Sequence, residues 1–296
     1  MSVSVLSGHV SAFLLACHAR GLSLNTRGWY EWMLHGYVDY VEEGEWPWDD
    51  PSTVDRLFVH LAEKGQSKHT IHAYYRGLRR FFNWLEMRHL TNENPMEMVE
   101  APRKSKPYPR SIGPAAVERL LRCIDPETYV GRRDRAIVIF LWDTGIRATE
   151  LCDLKVSDLE VHRGNGLIRI GKGEKFRTLC FGQKARQLLK AWLDVRGETN
   201  CERVFVSRCR NPMTRSGVYY LLKRRKEEVG IADPCNPHAF RHGFAIEFLE
   251  NGGNINNLRI LLGHETLRST EIYLKATDGR AHRDHKKASP GDHLDI

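Results

Sequence analysis

No apolar run in this sequence is long enough to cross a bilayer. The longest runs among its 296 residues cover 136–142 and 12–17, whereas a membrane-spanning helix needs about 20 consecutive apolar residues. The first basic side chain is Arg20, so the basic start of a secretory signal is missing as well. From these absences we expect a cytoplasmic protein with no membrane partner.

Regularly spaced cysteines are missing too. The seven cysteines are scattered, and no two of them form a C-x-x-C pair. Disulfide frameworks and structural zinc sites need such spacing, so we expect reduced thiols, no bound metal and no cofactor. What is present, 41% hydrophobic and 28% charged residues, suits a folded chain, and the length favours two domains.

Charge is distributed unevenly along the chain. Residues 1–100 carry nine basic and 13 acidic side chains, whereas residues 101–296 carry 36 and 24. A positive surplus favours a polyanionic partner such as nucleic acid, although basic surfaces also occur without one. Charge by itself leaves both interpretations open.

Residues 101–110 form the clearest boundary. This segment holds three prolines, which prevent regular structure, and four basic residues, which can bind phosphates. The sequence therefore predicts a helical domain over 1–100, an extended basic linker over 101–110 and a second domain over 111–296. Within the linker, Arg103, Lys104 and Lys106 are candidate DNA contacts.

The first domain shows four helical patterns, over residues 7–20, 26–43, 53–64 and 69–88. The last pattern places apolar side chains on one face and basic side chains on the other. The basic face, an ordinary solvated surface or a DNA-binding one, comprises Lys68, Arg76, Arg79 and Arg80.

The second domain shows a mixed pattern. Helices are predicted over 113–123, 131–142, 147–154, 184–196, 216–229, 237–250, 255–262 and 266–275, and strands over 167–170 and 176–181. A glycine-bearing turn at 171–175 joins the two strands. The sequence therefore predicts a mainly α fold with a small β-sheet, in which the apolar helix 131–142 is buried.

His238 and Arg241 lie three residues apart in the first turn of a predicted helix. They share a face near the N-terminus, where the helix dipole favours an anion such as phosphate, although polar helix starts are common without any ligand. His238 and His242 also have the spacing of a zinc pair, but Ala239 replaces the glutamate of the hydrolase motif H-E-x-x-H.

Arg147 follows the predicted buried helix in the run Thr-Gly-Ile-Arg. Rigid flanks would hold its guanidinium in place to grip two phosphate oxygens, or to pair with Glu150 three residues on. Further along the chain, Gly-Lys-Gly around Lys172 and Leu-Gly-His at His264 are followed by Tyr273, nine residues after that histidine.

Along the chain the motifs follow one another in the order Thr-Gly-Ile-Arg, Gly-Lys-Gly, His-x-x-Arg, Leu-Gly-His and the final tyrosine. In this order they resemble the tyrosine recombinases, the family of phage integrases, Cre-like recombinases and Xer-type resolvases. The resemblance covers residues 7 to about 275. It implies a SAM-like core-binding domain and a mixed catalytic domain. The implied active site comprises Arg147, Lys172, His238, Arg241, His264 and the nucleophile Tyr273. The sequence departs from the family at Gly243, where threonine is common, and in a less plainly helical tail.

The resemblance also implies a reaction and partners. Tyr273 would attack a DNA phosphate, with His238 as base, to form a 3′-phosphotyrosyl link without metal or ATP. Lys172, or its neighbour Lys175, would protonate the leaving oxygen. The implied partners are double-stranded DNA with a specific site and a homo-oligomer, a tetramer on two sites. Its role would be in a mobile element or in resolving a replicon.

Three other functions stay open at this point. A DNA-binding architectural or regulatory protein could share the fold without cleaving DNA. A type IB topoisomerase would use the same nucleophile without choosing a site. A zinc hydrolase is a third alternative, supported only by the histidine spacing.

Overall fold

The computed structural model describes residues 3–91, 93–103, 110–170 and 175–273. By its internal contacts the chain divides into two units, Met1–Lys106 and Pro107–Ile296. The division falls inside the segment 101–110, while the domain limits themselves stay a prediction. Within the described ranges, no helix has the length and hydropathy of a membrane span.

The described part of the first unit contains four α-helices. Their bounds are α1 (Val3–Ala19), α2 (Leu24–Glu43), α3 (Pro51–Glu63) and α4 (Lys68–Met87), followed by a 3-10 turn at Pro95–Glu97. Ser23, Asp50 and Ser67 precede α2, α3 and α4, and each side chain accepts a hydrogen bond from a backbone N–H of the first turn. The four predicted helical segments are confirmed, with ends shifted by a few residues.

Helix α4 is divided into an apolar and a basic face. Tyr74, Leu78, Phe81 and other apolar residues are buried in the core of the first unit, where aromatic rings from α1, α2 and α4 meet edge to face. The opposite face leaves the predicted cations exposed, namely Lys68, Arg76, Arg79 and Arg80. The periodicity of the sequence is therefore confirmed in the burial of this helix.

The second unit surrounds a buried helix. Its elements are α5 (Pro114–Cys123), α6 (Tyr129–Thr144), α7 (Ala148–Asp153), β1 (Leu159–Glu160), β2 (Asn165–Ile170), β3 (Lys175–Cys180), α8 (Gln183–Arg196), α9 (Arg215–Val229), α10 (Pro237–Glu250), α11 (Ile255–Leu262) and α12 (Arg268–Glu271). The strands pair antiparallel in the order β1-β2-β3, with Leu167 opposite Thr178. The mainly α fold with a small sheet is confirmed, and the two-residue strand β1 was too short for its alternation to be recognised.

Helix α6 is the buried centre of this unit and packs against α5, α8 and α10. Its one fully buried charge, Asp134, is neutralised by arginines. Arg133 and Arg225 each lie 2.8 Å from its carboxylate, and Arg224 lies 3.3 Å away. Because Arg224 and Arg225 belong to α9, this cluster ties α9 to α6. The end of α6 leads directly to Arg147.

Helix α12 is much shorter than predicted. The sequence predicts a helix over 266–275, but α12 ends at Glu271 and Tyr273 follows in a turn; residues 274 and 275 lie outside the described ranges. The side chains of Ser269 and Thr270 lie within hydrogen-bond distance of Thr266 and His264, at 3.2 and 2.9 Å. Such local side-chain bonds compete with helix formation at 266 and 267 and account for the later start of α12, so the prediction was wrong in extent.

Candidate active site

Arg147 is held at the turn between α6 and α7. Gly145 ends α6 in the left-handed conformation, with φ of 57°, and a Cβ there would lie 2.5 Å from the ring of Phe244. Arg147 then opens α7, where its backbone N–H and its Nη1 donate to the two carboxylate oxygens of Glu150 at 2.9 and 2.8 Å. The pairing that the sequence left as an alternative is therefore present, and it leaves the Arg147 side chain 39% exposed.

Glu150 is shared with a second arginine. Arg177 on β3 donates from Nη2 to Glu150 at 2.7 Å and from Nη1 to the carbonyl oxygen of Leu261 at the end of α11. Burial acts to raise the pKa of Glu150, but Arg177 and Arg147 outweigh it and hold that pKa below its ordinary value. Glu150 is therefore ionised and joins the α6–α7 turn to the sheet.

Arg241 on α10 is buried and bonded to backbone rather than to a carboxylate. Its Nη1 donates to Gly145 O at 2.7 Å and its Nη2 to Leu262 O at 2.6 Å. Burial, together with the charge of Arg147, lowers the pKa of Arg241 to about 10, which still leaves it protonated at neutral pH. Arg241 thus brings the ends of α6 and α11 together around one cation.

The three arginines outnumber the carboxylates around them. In the ion pairs described, Arg147 and Arg177 share one carboxylate, Glu150, while both terminal nitrogens of Arg241 donate to backbone carbonyls. Counting Arg241 itself, the cluster carries a surplus of two positive charges. Such a partly buried surplus favours an anion.

A cleft of about 850 Å³ opens beside this cluster. Arg147, Arg241 and His238 line it together with α9 residues that include Arg215 and Lys223. His238 is exposed in the first turn of α10, where the Asn236 side chain accepts from the backbone N–H of Ala239 at 3.0 Å. The predicted anion position at the start of α10 therefore faces a cavity that contains further cations.

His264 lies directly after α11, whose final residue is followed by Gly263 with φ of 64°. Its Nδ1 is 2.9 Å from the hydroxyl oxygen of Thr270. Burial and the charges of Arg241 and Arg147 lower the pKa of His264 to about 4. The imidazole is therefore neutral at pH 7.

Tyr273 is almost fully buried, at 2% exposure, in an apolar cluster with Phe244 and Leu262. Its hydroxyl oxygen lies 2.9 Å from Nδ1 of His242, on the helix that carries Arg241. Burial raises the pKa of Tyr273, and the positive charge of Arg241 acts in the opposite direction. The phenol is therefore protonated at neutral pH and within the field of the arginine cluster.

Comparisons with known proteins agree with this arrangement. Residues 110–280 match the profile of the phage integrase family, and residues 54–108 match its N-terminal SAM-like domain. A relative called tyrosine recombinase XerD, from Listeria monocytogenes serovar 1/2a, is 34% identical over 92% of this chain and 94% of its own length. This chain belongs to the phage integrase family.

One further relative supports this assignment, and one solved structure shares the fold. A tyrosine recombinase XerC from Bacillus licheniformis is 30% identical over 90% of this chain and 93% of its own length. The solved integrase of the Tn1549 transposon, in complex with a circular intermediate DNA, has a TM-score of 0.75 at 19% identity, covering 90% of this chain and 94% of that one. The prediction of a site-specific tyrosine recombinase is confirmed at the level of family and enzyme class.

Within this phage integrase fold, five of the six predicted catalytic residues are described, and they converge on one region. The sixth, Lys172, lies outside the described ranges, as do Lys104 and Lys106, and its rival Lys175 is the first residue of β3. Arg103, which follows the last core residues of the first unit in the sequence, is exposed.

Gly243 has a packing reason in this integrase. A Cβ at this position would lie 2.5 Å from Cζ3 of Trp142 and 2.6 Å from the carbonyl oxygen of Ile112. Glycine at this position therefore reflects the close approach of α6 and of the segment before α5 to α10. It leaves the neighbouring Arg241 and His242 in place.

Two partners in the site were not predicted from the sequence. Arg177 occupies an inward position of β3, two residues before buried Leu179, and an arginine among the inward residues of a predicted strand is a usable signal. The spacing of His242 from His238 indicates only a zinc pair, and no local pattern indicates the contact of His242 with Tyr273, 31 positions away. Within the described part of the chain, no group of three potential metal ligands comes together.

Proposed function

We propose that Arg147 and Arg241 hold a scissile phosphate of double-stranded DNA while Tyr273 attacks it. The surplus of two positive charges beside the cleft is the observation that best supports this. A phosphodiester offers one negative charge on two free oxygens, which suits two planar guanidiniums. Held from both sides, the charge that builds up in the transition state is stabilised; removing one such donor costs enzymes about 10²–10³ in rate.

The proposed step keeps the energy of the broken phosphodiester bond in a covalent bond between DNA and Tyr273. The O–H bond of Tyr273 breaks, its oxygen forms a bond to phosphorus, and the bond from phosphorus to the 5′-oxygen breaks. A 3′-phosphotyrosyl link results, and attack by another 5′-hydroxyl reverses it without ATP. In this proposal Lys172 or Lys175 protonates the leaving oxygen, His238 serves as base, and His264 donates a hydrogen bond to the phosphate.

A nicked duplex tests the proposal, because the short strand released by cleavage diffuses away and traps the covalent complex. Duplexes tiled across the DNA on both sides of the gene serve as probes. We expect the wild-type protein to form a covalent complex on particular duplexes, and Tyr273→Phe to form none while binding DNA with similar affinity. Binding without trapping would favour an architectural protein, and trapping on every duplex alike would favour a topoisomerase.

The DNA contacts of the first unit are part of this proposal. We propose that the exposed cations of α4 contact DNA phosphates or base edges; these are Lys68, Arg76, Arg79 and Arg80. The proposed contacts to the DNA backbone are made by Arg103, Lys104 and Lys106. In support, none of the ion pairs found among the described residues involves these four cations of α4, and the Tn1549 integrase, a solved structure of similar fold, is in complex with DNA.

We also propose assembly into a tetramer on two specific sites. Each copy carries one nucleophile, and exchange between two duplexes requires four strands to be cut, so four copies are needed. The exchange would serve a mobile element or the resolution of a replicon. The mass of the complex on a cleaved duplex, measured by light scattering with and without a second duplex, tests the assembly; a dimer under both conditions would contradict it.

A further inference from the structure

The hydroxyl group of the proposed nucleophile contacts a side chain outside the predicted catalytic set. The Tyr273 oxygen lies 2.9 Å from Nδ1 of His242, with ring centroids 5.6 Å apart and planes inclined by 52°. Among the described residues, this is the hydrogen-bond partner of the phenol. His238, the predicted base, stacks on the far side of His242 with centroids 5.7 Å apart and planes at 13°.

The location of His242 connects three parts of the site. It follows Arg241 directly on α10, so a fixed helix backbone relates its ring to the buried guanidinium. One ring neighbour, His238, lines the cleft, and the other, Tyr273, is buried in the cluster of Phe244 and Leu262. His242 therefore contacts both a side chain that lines the cleft and the nucleophile.

We infer that His242 is a positioning residue for DNA cleavage: its Nδ1 holds the hydroxyl of Tyr273 by accepting its hydrogen bond until the proposed base, His238, removes that proton. This inference rests on the proposed function of Tyr273 as nucleophile. A phenol whose hydrogen is directed to Nδ1 keeps an oxygen lone pair free for phosphorus and loses the freedom to rotate. Since a misplacement of about 1 Å can cost about 10²-fold in rate, this restraint matters for attack.

The protonation states suit this role. Burial, followed by the charges of His238 and Arg241, lowers the pKa of His242, so its imidazole is neutral at pH 7. A neutral imidazole with its hydrogen on Nε2 presents a lone pair at Nδ1, whereas an imidazolium could not accept from the phenol. Tyr273, whose pKa is raised by burial, supplies the hydrogen.

Two substitutions at one position separate hydrogen bonding from packing. His242→Leu removes the acceptor and keeps a branched side chain, whereas His242→Asn places an amide oxygen close to the former Nδ1 position. Phe248→Leu, on the same helix and partly buried against the same apolar cluster, is the packing control. The measurement is the single-turnover rate of covalent complex formation on a nicked duplex at saturating protein, with DNA affinity measured separately.

We expect His242→Leu to cleave about 10- to 100-fold more slowly with unchanged DNA affinity. His242→Asn should recover most of that rate, and Phe248→Leu should cleave like wild type. Cleavage by His242→Leu at the wild-type rate or faster would overturn the inference, as would His242→Asn being as slow as His242→Leu. If wild type itself formed no covalent complex, the proposed function would fail instead.

A spectroscopic measurement covers the case in which His242→Leu does not fold. In ¹⁵N-labelled full-length protein, the Nδ1 resonance of His242 should be that of an unprotonated nitrogen accepting a hydrogen bond. Tyr273→Phe should shift this resonance and leave the Nδ1 of His9, a residue of the first unit, unchanged. An Nδ1 that is protonated, or insensitive to Tyr273→Phe, would overturn the inference without any activity measurement.

Discussion

Replacing Glu150 by alanine should destabilise the second unit severely. The carboxylate faces Arg177, whose side chain is 4% exposed, across 2.7 Å, and Arg147, which is 39% exposed, across 2.8 Å. Removing one partner of a buried ion pair costs about 3–5 kcal/mol, because the remaining charge stays buried and unpaired. The ion pair between Glu150 and the partly exposed Arg147 adds only about 0–1 kcal/mol to this loss.

The substitution should therefore cost about 3–5 kcal/mol, most of it from Arg177. Compared with a total stability of about 5–15 kcal/mol for a domain, this is a large fraction. Three arginines would then face each other with no carboxylate between them. Glu150→Gln, which keeps an acceptor oxygen but loses the charge, should cost less than Glu150→Ala.

Urea unfolding followed by hydrogen exchange of peptides from α6 and α7 measures this, since it assigns the transition to the second unit. Glu118→Ala is the matched control, because its pair with Arg122 is exposed, with side chains 64% and 79% accessible, and should cost about 0–1 kcal/mol. A loss below about 1 kcal/mol for Glu150→Ala, similar to that control, would refute the argument that Arg177 depends on this carboxylate.

Two further predictions concern packing and DNA affinity. Gly243→Thr, which restores the residue common in the family, should cost about 1–3 kcal/mol in urea unfolding, because Trp142 and the Ile112 carbonyl occupy the space of its Cβ. Replacing Arg76 and Arg80 together by glutamine should lower the slope of log affinity against log salt by about two, if each cation contacts one phosphate.

Each of these predictions has a control and a contrary outcome. Gly28→Thr adds the same side chain at a helical glycine with open space around it, so only a small propensity change is expected; equal losses at both positions would contradict the packing argument. For the salt slope, the control is Arg122→Gln, at an exposed position of α5. A double variant with an unchanged slope would remove α4 from the proposed DNA surface.

Local patterns predicted most of the helices because their causes are local. The apolar spacing of α4 follows from the 3.6 residues per turn of an α-helix. At α10, Asn236 caps the helix and Pro237 is its first residue, where the fixed φ of proline is compatible with the first turn. Helices α10 and α11 have the predicted bounds, 237–250 and 255–262. Strand β1 and the short α12 were mispredicted because two residues show no period and because side chains of residues 266–270 bond locally.

The sequence by itself determined which residue types stand in which order, and that order was enough to indicate the family and five of the side chains that converge. Only the tertiary structure decided their partners. Glu150 meets Arg177 across 27 positions, and His242 meets Tyr273 across 31. Periodicity and caps act within a few residues, whereas these contacts form only when β3, α10 and the turn after α12 are packed together, so no local pattern could reveal them.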